Sequence, residues 1–424
     1  MFGNALQAAS VGGHEKIVQL LLDKGAEVNA QGGSFGNALQ AASLGGYEKI
    51  VQLLLNKGAE INAQGGEYGN ALQAASEGGH EKIVQLLLDK GAEVNAQGGI
   101  FGNALQAASV GGHEKIVQLL LDKGAEVNAQ GGRFGNALQA ASVGGHEKIV
   151  QLLLDKGAEV NAQGGRFGNA LQAASEGGHE KIVQLLLDKG AEINAQGGEY
   201  GNALQAALEG GYEKIVQLLL DKGAEVNAQG GEYGNALQAA SLQGHEKIVQ
   251  LLLDKSAEIN AQGGEYSNAL QAASLRGYEK IVQLLLDKSA EINAQGGIFG
   301  NALQAASVGG HEKIVQLLLD KGAEVNAQGG RFGNALQAAS EGGHKKIVQL
   351  LLDKGAEINA QGGRFGNVLQ AASLRGHEKI VQLLLDKSAE INAQGGEFGN
   401  ALQAASERGR KKIVQLLLDK GAEV

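Results

Sequence analysis

The stretch Asn37-Ala38-Leu39-Gln40-Ala41-Ala42-Ser43, followed by Glu48-Lys49-Ile50-Val51-Gln52-Leu53-Leu54-Leu55, decides the fold, because it returns every 33 residues along the whole chain. An aromatic two positions before the Asn marks each copy: Phe2, Phe35, Tyr68, Phe101, Phe134, Phe167, Tyr200, Tyr233, Tyr266, Phe299, Phe332, Phe365 and Phe398. That makes thirteen copies, the last incomplete at Val424. A fixed period of this size denotes a stacked array, in which no copy can bury a core alone and neighbours complete one another. Residues 1–424 are therefore read as a single array.

Within a copy, Asn4 precedes Ala5-Leu6-Gln7 and carries the side chain of a helix N-cap, with Gln7 placed to reach back as in a capping box. A short helix of small residues follows and ends at Gly12-Gly13. A second helix is expected from Glu15 to Lys24, with Ile17, Leu20, Leu21 and Lys24 on one face and Val18 and Leu22 widening the apolar arc. Gly25 supplies a left-handed stop. Ser256, Ser289 and Ser388 occupy that place in three copies, at an expected cost of about 1 kcal/mol each if the left-handed geometry is kept. Ala26 to Gly33 then forms a Gly-rich, hairpin-like link to the next copy.

Gly13-His14, Ile17-Val18, Leu21-Leu22, Gly25-Ala26 and Val28-Asn29-Ala30 resemble the ankyrin repeat, whose period is also 33. The resemblance implies an all-α repeat solenoid: a curved stack of ankyrin-type helix–turn–helix units with hairpin-like loops. The departures are systematic. Asn4-Ala5-Leu6-Gln7 stands where the family usually has Thr-Pro-Leu-His, so Asn and Gln are expected to take over capping. An aromatic stands where the family usually has a turn Gly, and Gly32 where an Asp usually opens the hairpin. The wording is also similar to fungal ankyrin arrays, some of them in NOD-like receptor proteins.

Composition narrows the class. The chain has no Cys, which removes disulfides and thiolate metal sites, and no Pro or Trp. Its net charge of −10 comes mostly from the repeated framework, where it favours solubility and names no partner. Met1 leads directly into a copy without a secretory leader, and the longest apolar runs are far short of a membrane span. The expectation is a cytoplasmic or otherwise intracellular monomeric array, the nucleus included. Glu407, Arg408, Arg410, Lys411 and Lys412 make the last copy more polar, in the manner of a partial cap; the front has no counterpart, which suggests a fragment or dependence on neighbouring sequence.

Two positions vary in chemistry while the framework does not. One is the hairpin residue before the aromatic, which includes Ser34, Glu67, Ile100, Arg133, Arg166, Glu199, Glu232, Glu265, Ile298, Arg331, Arg364 and Glu397. The other is the end of the first helix, which includes Glu77, Val110, Val143, Glu176, Glu209 and Val308, with Arg276 and Arg375 replacing the adjacent Gly. In the ankyrin fold, hairpin tips and first helices line the concave face where partners dock. Other exposed positions, such as Gln19, Lys24 and Gln31, never change, which favours recognition over mere tolerance. The surface so drawn is a mosaic: apolar spots at Ile100 with Val110 and at Ile298 with Val308, basic spots at Arg133 with Arg166 and at Arg331 with Arg364, and an acidic middle at Glu199, Glu209, Glu232 and Glu265. The similar order in copies four to six and ten to twelve suggests block duplication and two like sites able to bind a repeated partner with avidity.

Other chemistries fit less well. Nine His recur at one turn position, but stacked helices lie about 8–10 Å apart, too far for equivalent residues to share a zinc ion bound at about 2 Å. A structural turn role is expected for them. The Gly-rich loop lacks the Lys-Ser/Thr ending of a phosphate loop. Every Ser of the Ala-Ala-Ser run is a copy, whereas an active site is normally one unique constellation. The aromatic ladder beside Arg133 and Arg166 has the parts for base stacking, but nucleic acid wants a continuous basic stripe that the alternating Glu interrupts; packing of hairpin against helix is the expected role. The reading is thus a non-catalytic scaffold without cofactor or metal that binds protein partners, a sensor or adaptor region. Its alternative is a structural spacer with no specific ligand.

Overall fold

The computed structural model describes residues 3–230 and 233–424. Two helices form in each copy, from α1 (Ala5–Val11) and α2 (Glu15–Asp23) to α25 (Ala401–Glu407) and α26 (Lys411–Asp419). Among the described residues there is no extended strand, only an isolated antiparallel bridge at the base of each of eleven hairpins, such as Gly32 with Gly36. The copies group into two compact units, Met1–Glu225 with seven copies and Val226–Val424 with six.

The first helix is built by its cap. In the copy at Ala38–Gly45, the Asn37 side chain accepts from the Gln40 N–H at 2.9 Å while Gln40 Oε1 accepts from the Asn37 N–H at 2.7 Å, a closed capping box. The expected replacement of Thr-Pro-Leu-His by an Asn–Gln cap is what the chain uses. With the ends satisfied, a helix of seven or eight residues presents Ala and Leu on nearly every side, and those residues are fully buried between the first helices of neighbouring copies. Ala makes that close approach feasible because it has no side chain beyond Cβ.

The second helix is amphipathic over a narrower arc than its composition suggested. Ile50, Val51 and Leu54 are buried, Leu53 and Leu55 are half-buried, and Lys57 is an exposed C-cap. In the first copy Ile17 is 48% and Leu20 57% exposed, the face that a preceding copy covers elsewhere.

Inside each compact unit, both ends of a copy tie to the next copy. Gln40 Nε2 donates to the carbonyl of Ala63 in the link at 3.2 Å and to that of Gly69 in the following copy at 2.7 Å. Asn29 bridges loops, donating to Gly58 O at 3.1 Å and accepting from the Glu60 N–H at 2.8 Å. His80 Nε2 lies 2.8 Å from Leu44 O, and the same contact recurs at His113, His146, His179, His311, His344 and His377. The recurring imidazole is a staple between a turn and the carboxyl end of the preceding first helix, the structural role expected for it. Lys–Glu and Lys–Asp pairs also cross between copies, as at Lys57–Asp23 at 3.2 Å, but with both partners exposed they add little.

Ser256, Ser289 and Ser388 keep φ of 65°, 68° and 64°. A fourth left-handed serine, Ser267 at φ 67°, stands at a hairpin position that the sequence reading did not single out. At the glycines equivalent to the first three, an added Cβ meets nothing, so the serine cost is one of backbone conformation alone.

Two stability predictions follow from these local geometries. Ser256→Gly, Ser289→Gly and Ser388→Gly should each raise stability by roughly 1 kcal/mol, read as a higher denaturant midpoint; an unchanged midpoint would contradict the left-handed cost. Gln106→Ala, which strips a bond from the Asn103 N–H and from Ala129 O, should lower stability by roughly 2–4 kcal/mol, with enhanced amide exchange on both sides of the lesion.

Candidate protein-binding face

The hairpins are joined edge to edge through the very residue that varies. The Glu67 N–H donates to Ser34 O, Ile100 to Glu67 O and Arg133 to Ile100 O, each at 2.8 Å; Arg166 to Arg133 O and Glu199 to Arg166 O follow at 3.0 Å. In Val226–Val424 the Arg331 N–H donates to Ile298 O, Arg364 to Arg331 O and Glu397 to Arg364 O. A backbone bond does not depend on the side chain attached, so Ile, Arg and Glu are interchangeable there without loosening the stack.

Their side chains point mostly to solvent. Ile100 is 47% and Ile298 41% exposed, unusual for isoleucine in an otherwise well-buried framework. Glu67, Arg133, Glu199, Glu265, Arg331 and Arg364 are exposed, and Arg166 is half-buried. The residues at the first-helix end differ from expectation: Glu77, Val110, Val143, Glu176, Glu209 and Val308 are half-buried, and Glu341 is 8% exposed. They form the wall behind the hairpin tips, while Arg276 and Arg375, one residue further on, are exposed. Glu232 lies outside the described residues, as does Phe2. Of the expected acidic middle, Glu199 and Glu209 belong to Met1–Glu225 and Glu265 to Val226–Val424.

Beside the hairpin residues runs a ladder of rings. Phe35, Tyr68, Phe101, Phe134 and Phe167 stack in turn with centroids 6.1–6.3 Å apart, and Tyr266–Phe299–Phe332 and Phe365–Phe398 do the same at 6.0–6.2 Å. The rings therefore pack on one another from copy to copy, a role beyond the expected packing of hairpin on helix. Arg166, Arg331 and Arg364 lay their guanidinium groups over the next residue's ring at 5.4–5.8 Å.

The two basic spots are not alike. Arg166 Nη2 meets Glu176 Oε1 at 3.1 Å and its Nε meets Glu199 Oε2 at 2.7 Å, while Nη2 also donates to the Tyr200 hydroxyl at 3.1 Å. Burial pushes the Glu176 carboxyl above the ordinary glutamate range, against the pull of the Arg166 guanidinium. Arg364 keeps one such partner, Glu397 at 2.7 Å, and Leu374 stands where Glu176 would be. Glu341, at the position of Val143, pairs instead with Arg375. Tyr200 and the arginines at 408 and 410 belong to these clusters and were not singled out as site residues from sequence; the signal for Arg410 was its replacement of the recurring His.

Constancy at Gln19 and Lys24 has a local cause. Gln19 Nε2 donates to Asp23 Oδ1 at 2.7 Å, a bond repeated in the other copies, and Lys57, the next copy's equivalent of Lys24, pairs with Asp23. These positions are constant because they are bonded, so their constancy does not by itself argue that the variable positions read a ligand. Among the described residues no group of three or more His, Asp or Glu is placed to hold a metal ion, and no helix is long and apolar enough to cross a membrane.

A sequence model of the family described as Ankyrin repeats (3 copies) matches overlapping segments from residues 2–65 through to 336–424. The chain belongs to the ankyrin-repeat family. Comparison with curated proteins finds no match. Repeats of this family generally act as protein–protein interaction modules, and the proteins that carry them are typically non-catalytic scaffolds.

Glu176 gives a pH-dependent prediction. Its folded-state pKa lies above the unfolded value, so its contribution favours folding fully below the ordinary glutamate range and is lost as pH rises through the folded value. Glu176→Gln should therefore melt higher than the parent at about pH 7, and the gap should close below about pH 4. A gap that widens in acid would reverse the assignment.

Proposed function

We propose that this ankyrin-repeat chain is a recognition scaffold that binds protein partners along its hairpin tips and first-helix ends, as the sensor or adaptor region of an intracellular protein. The face is the one that the family's fold makes concave. One observation carries the reading: the backbone ladder from Ser34 to Glu199 holds the hairpins in place whatever the side chain, and it is on that ladder that Ile, Arg and Glu alternate. Chemistry is thereby free to change where it meets solvent and fixed where it builds the stack. Exposed Ile100 beside Arg133 supports a protein ligand, because an apolar anchor flanked by a guanidinium is a common composition of interface centres. Stacking of the aromatic rings on one another favours protein over nucleic acid, since faces already covered are poor platforms for bases.

The test exploits residues the ladder already accepts. Ile100→Ser and Arg133→Glu place on these hairpins the residues found at Ser34 and Glu67. Proteins crosslinked to the intact chain in extract of its source organism should include at least one whose recovery falls tenfold or more with the double variant. Gln118→Ala, on the second helix, should leave recovery unchanged. Equal recovery with all three proteins would instead support a spacer whose surface chemistry is irrelevant.

A further inference from the structure

The mosaic changes sign near the carboxyl end. Copies six and seven and copies twelve and thirteen carry different residues at equivalent positions. At the first pair stand Arg166, Glu176, Gly177, Glu199, Gly210 and Tyr212; at the second, Arg364, Leu374, Arg375, Glu397, Arg408 and Arg410. Glu209 and Glu407 are equivalent. One arginine among three glutamates thus becomes four arginines with two glutamates, in a chain whose net charge is −10.

Those four arginines converge. Arg364, Arg375, Arg408 and Arg410 line one cleft of about 180 Å³ together with Phe365, Leu374 and Phe398. The floor is apolar and firm: Phe365 and Leu374 are 2% and 5% exposed, and Phe398 stacks on Phe365 at 6.1 Å. Three of the four guanidinium groups are steadied by a partner. Arg364 Nε binds Glu397 at 2.7 Å, Arg375 Nη2 pairs with Glu341, and Arg410 Nε donates to Leu374 O at 3.3 Å. Arg408 Nε lies a loose 3.9 Å from Glu407. A guanidinium has five N–H donors, so each of these contacts leaves most of the fork unused. Arg410 takes over the staple of the recurring His, reaching the equivalent helix-end carbonyl, and brings a permanent charge to that place.

We propose that this cleft binds a phosphorylated side chain of a protein partner. A carboxylate offers one charge and two oxygens, enough for a single guanidinium fork. A phosphomonoester offers nearly two charges and three acceptor oxygens, which suits several guanidinium groups converging from different copies. A nucleic-acid backbone is disfavoured by position: the basic residues form one local cleft flanked by Glu397 and Glu407, whereas a polyanion needs neutralisation along its length. The inference rests on the hairpin face being a protein-binding surface, and adds the chemistry of one place on it.

The full chain should bind fluorescein-labelled degenerate peptide pools with a central phosphoserine or phosphotyrosine at least tenfold tighter than the matching unphosphorylated pools, measured by fluorescence anisotropy. Affinity should fall as salt rises. The variant Arg375→Gly, Arg408→Gly, Arg410→Tyr restores the residues of copies six and seven and should remove the difference; Arg408→Gly alone, at an exposed position, should weaken it severalfold. Equal binding of phosphorylated and unphosphorylated pools, or phosphate-dependent binding that survives the triple variant, overturns the proposal. Competition by inorganic phosphate as tight as the peptide itself would assign a free-anion site instead, and tighter binding of a single-stranded oligonucleotide would assign nucleic acid. If these pools fail while Ile100→Ser with Arg133→Glu still changes partner recovery, only the phosphate inference falls and the wider protein-binding reading stands.

Discussion

Within each compact unit a buried amide ties one copy to the next. Gln40, Gln73, Gln106, Gln172, Gln238, Gln337 and Gln370 spend the carbonyl oxygen on their own helix cap and the NH2 group on carbonyls of the following hairpin. Glutamate could accept at the cap but has no donor to give the next copy, and its charge would be buried without a partner. Alanine would leave both sets of backbone groups unsatisfied. Only a side chain with a donor and an acceptor at the same tip closes the box and the interface together. That requirement accounts for Gln in the copies that close both, while Ala38 yields to Val368 and Ser175 to Leu208 without loss of the helix.

The same division between backbone and side chain governs the face. Hairpins are attached by peptide groups, first helices by Ala and Leu, turns by His against a carbonyl; none of these uses the residue before the aromatic for more than its main chain. Rings stacked at about 6 Å set the spacing of the side chains that rise beside them. An array of this kind is a ruler on which charges and apolar groups can be set at fixed intervals. Nearest-neighbour coupling then means that a change in one copy disturbs two interfaces and leaves the rest as they were.

Most of the stack was legible in the sequence because its determinants are local and repeated. Asn4 and Gln7 announce a cap, Gly25 a left-handed stop, and Ile50-Val51 with Leu54 a buried face; each was found where its chemistry places it. What escaped notice depends on contacts between copies. Nothing in the spacing of Phe35 and Tyr68 says that their rings meet face to face, and nothing around Glu176 says that it sits half-buried under Arg166. The constancy of Gln19 looked like a blank background for the variable residues, whereas it is a bonded position with its own reason to stay.

The basic spots show how far a pattern of residue types can mislead about a surface. Arg133 with Arg166 and Arg331 with Arg364 look like two editions of one site. Yet the electrostatics are decided by what stands ten residues later and one copy on: Glu176 and Glu199 close around Arg166, while Leu374 leaves Arg364 with Glu397 alone. Burying a carboxylate beside a guanidinium spends the charge of both, and replacing it by leucine returns the guanidinium to whatever approaches from solvent. Three further arginines at glycine and turn positions then add to the same cleft without asking the backbone to move, because Arg410 makes the bond that His makes elsewhere. A framework that fixes geometry so completely lets a handful of substitutions turn a self-neutralised cluster into an open cationic one, and it is the local pairing, not the count of arginines, that separates the two.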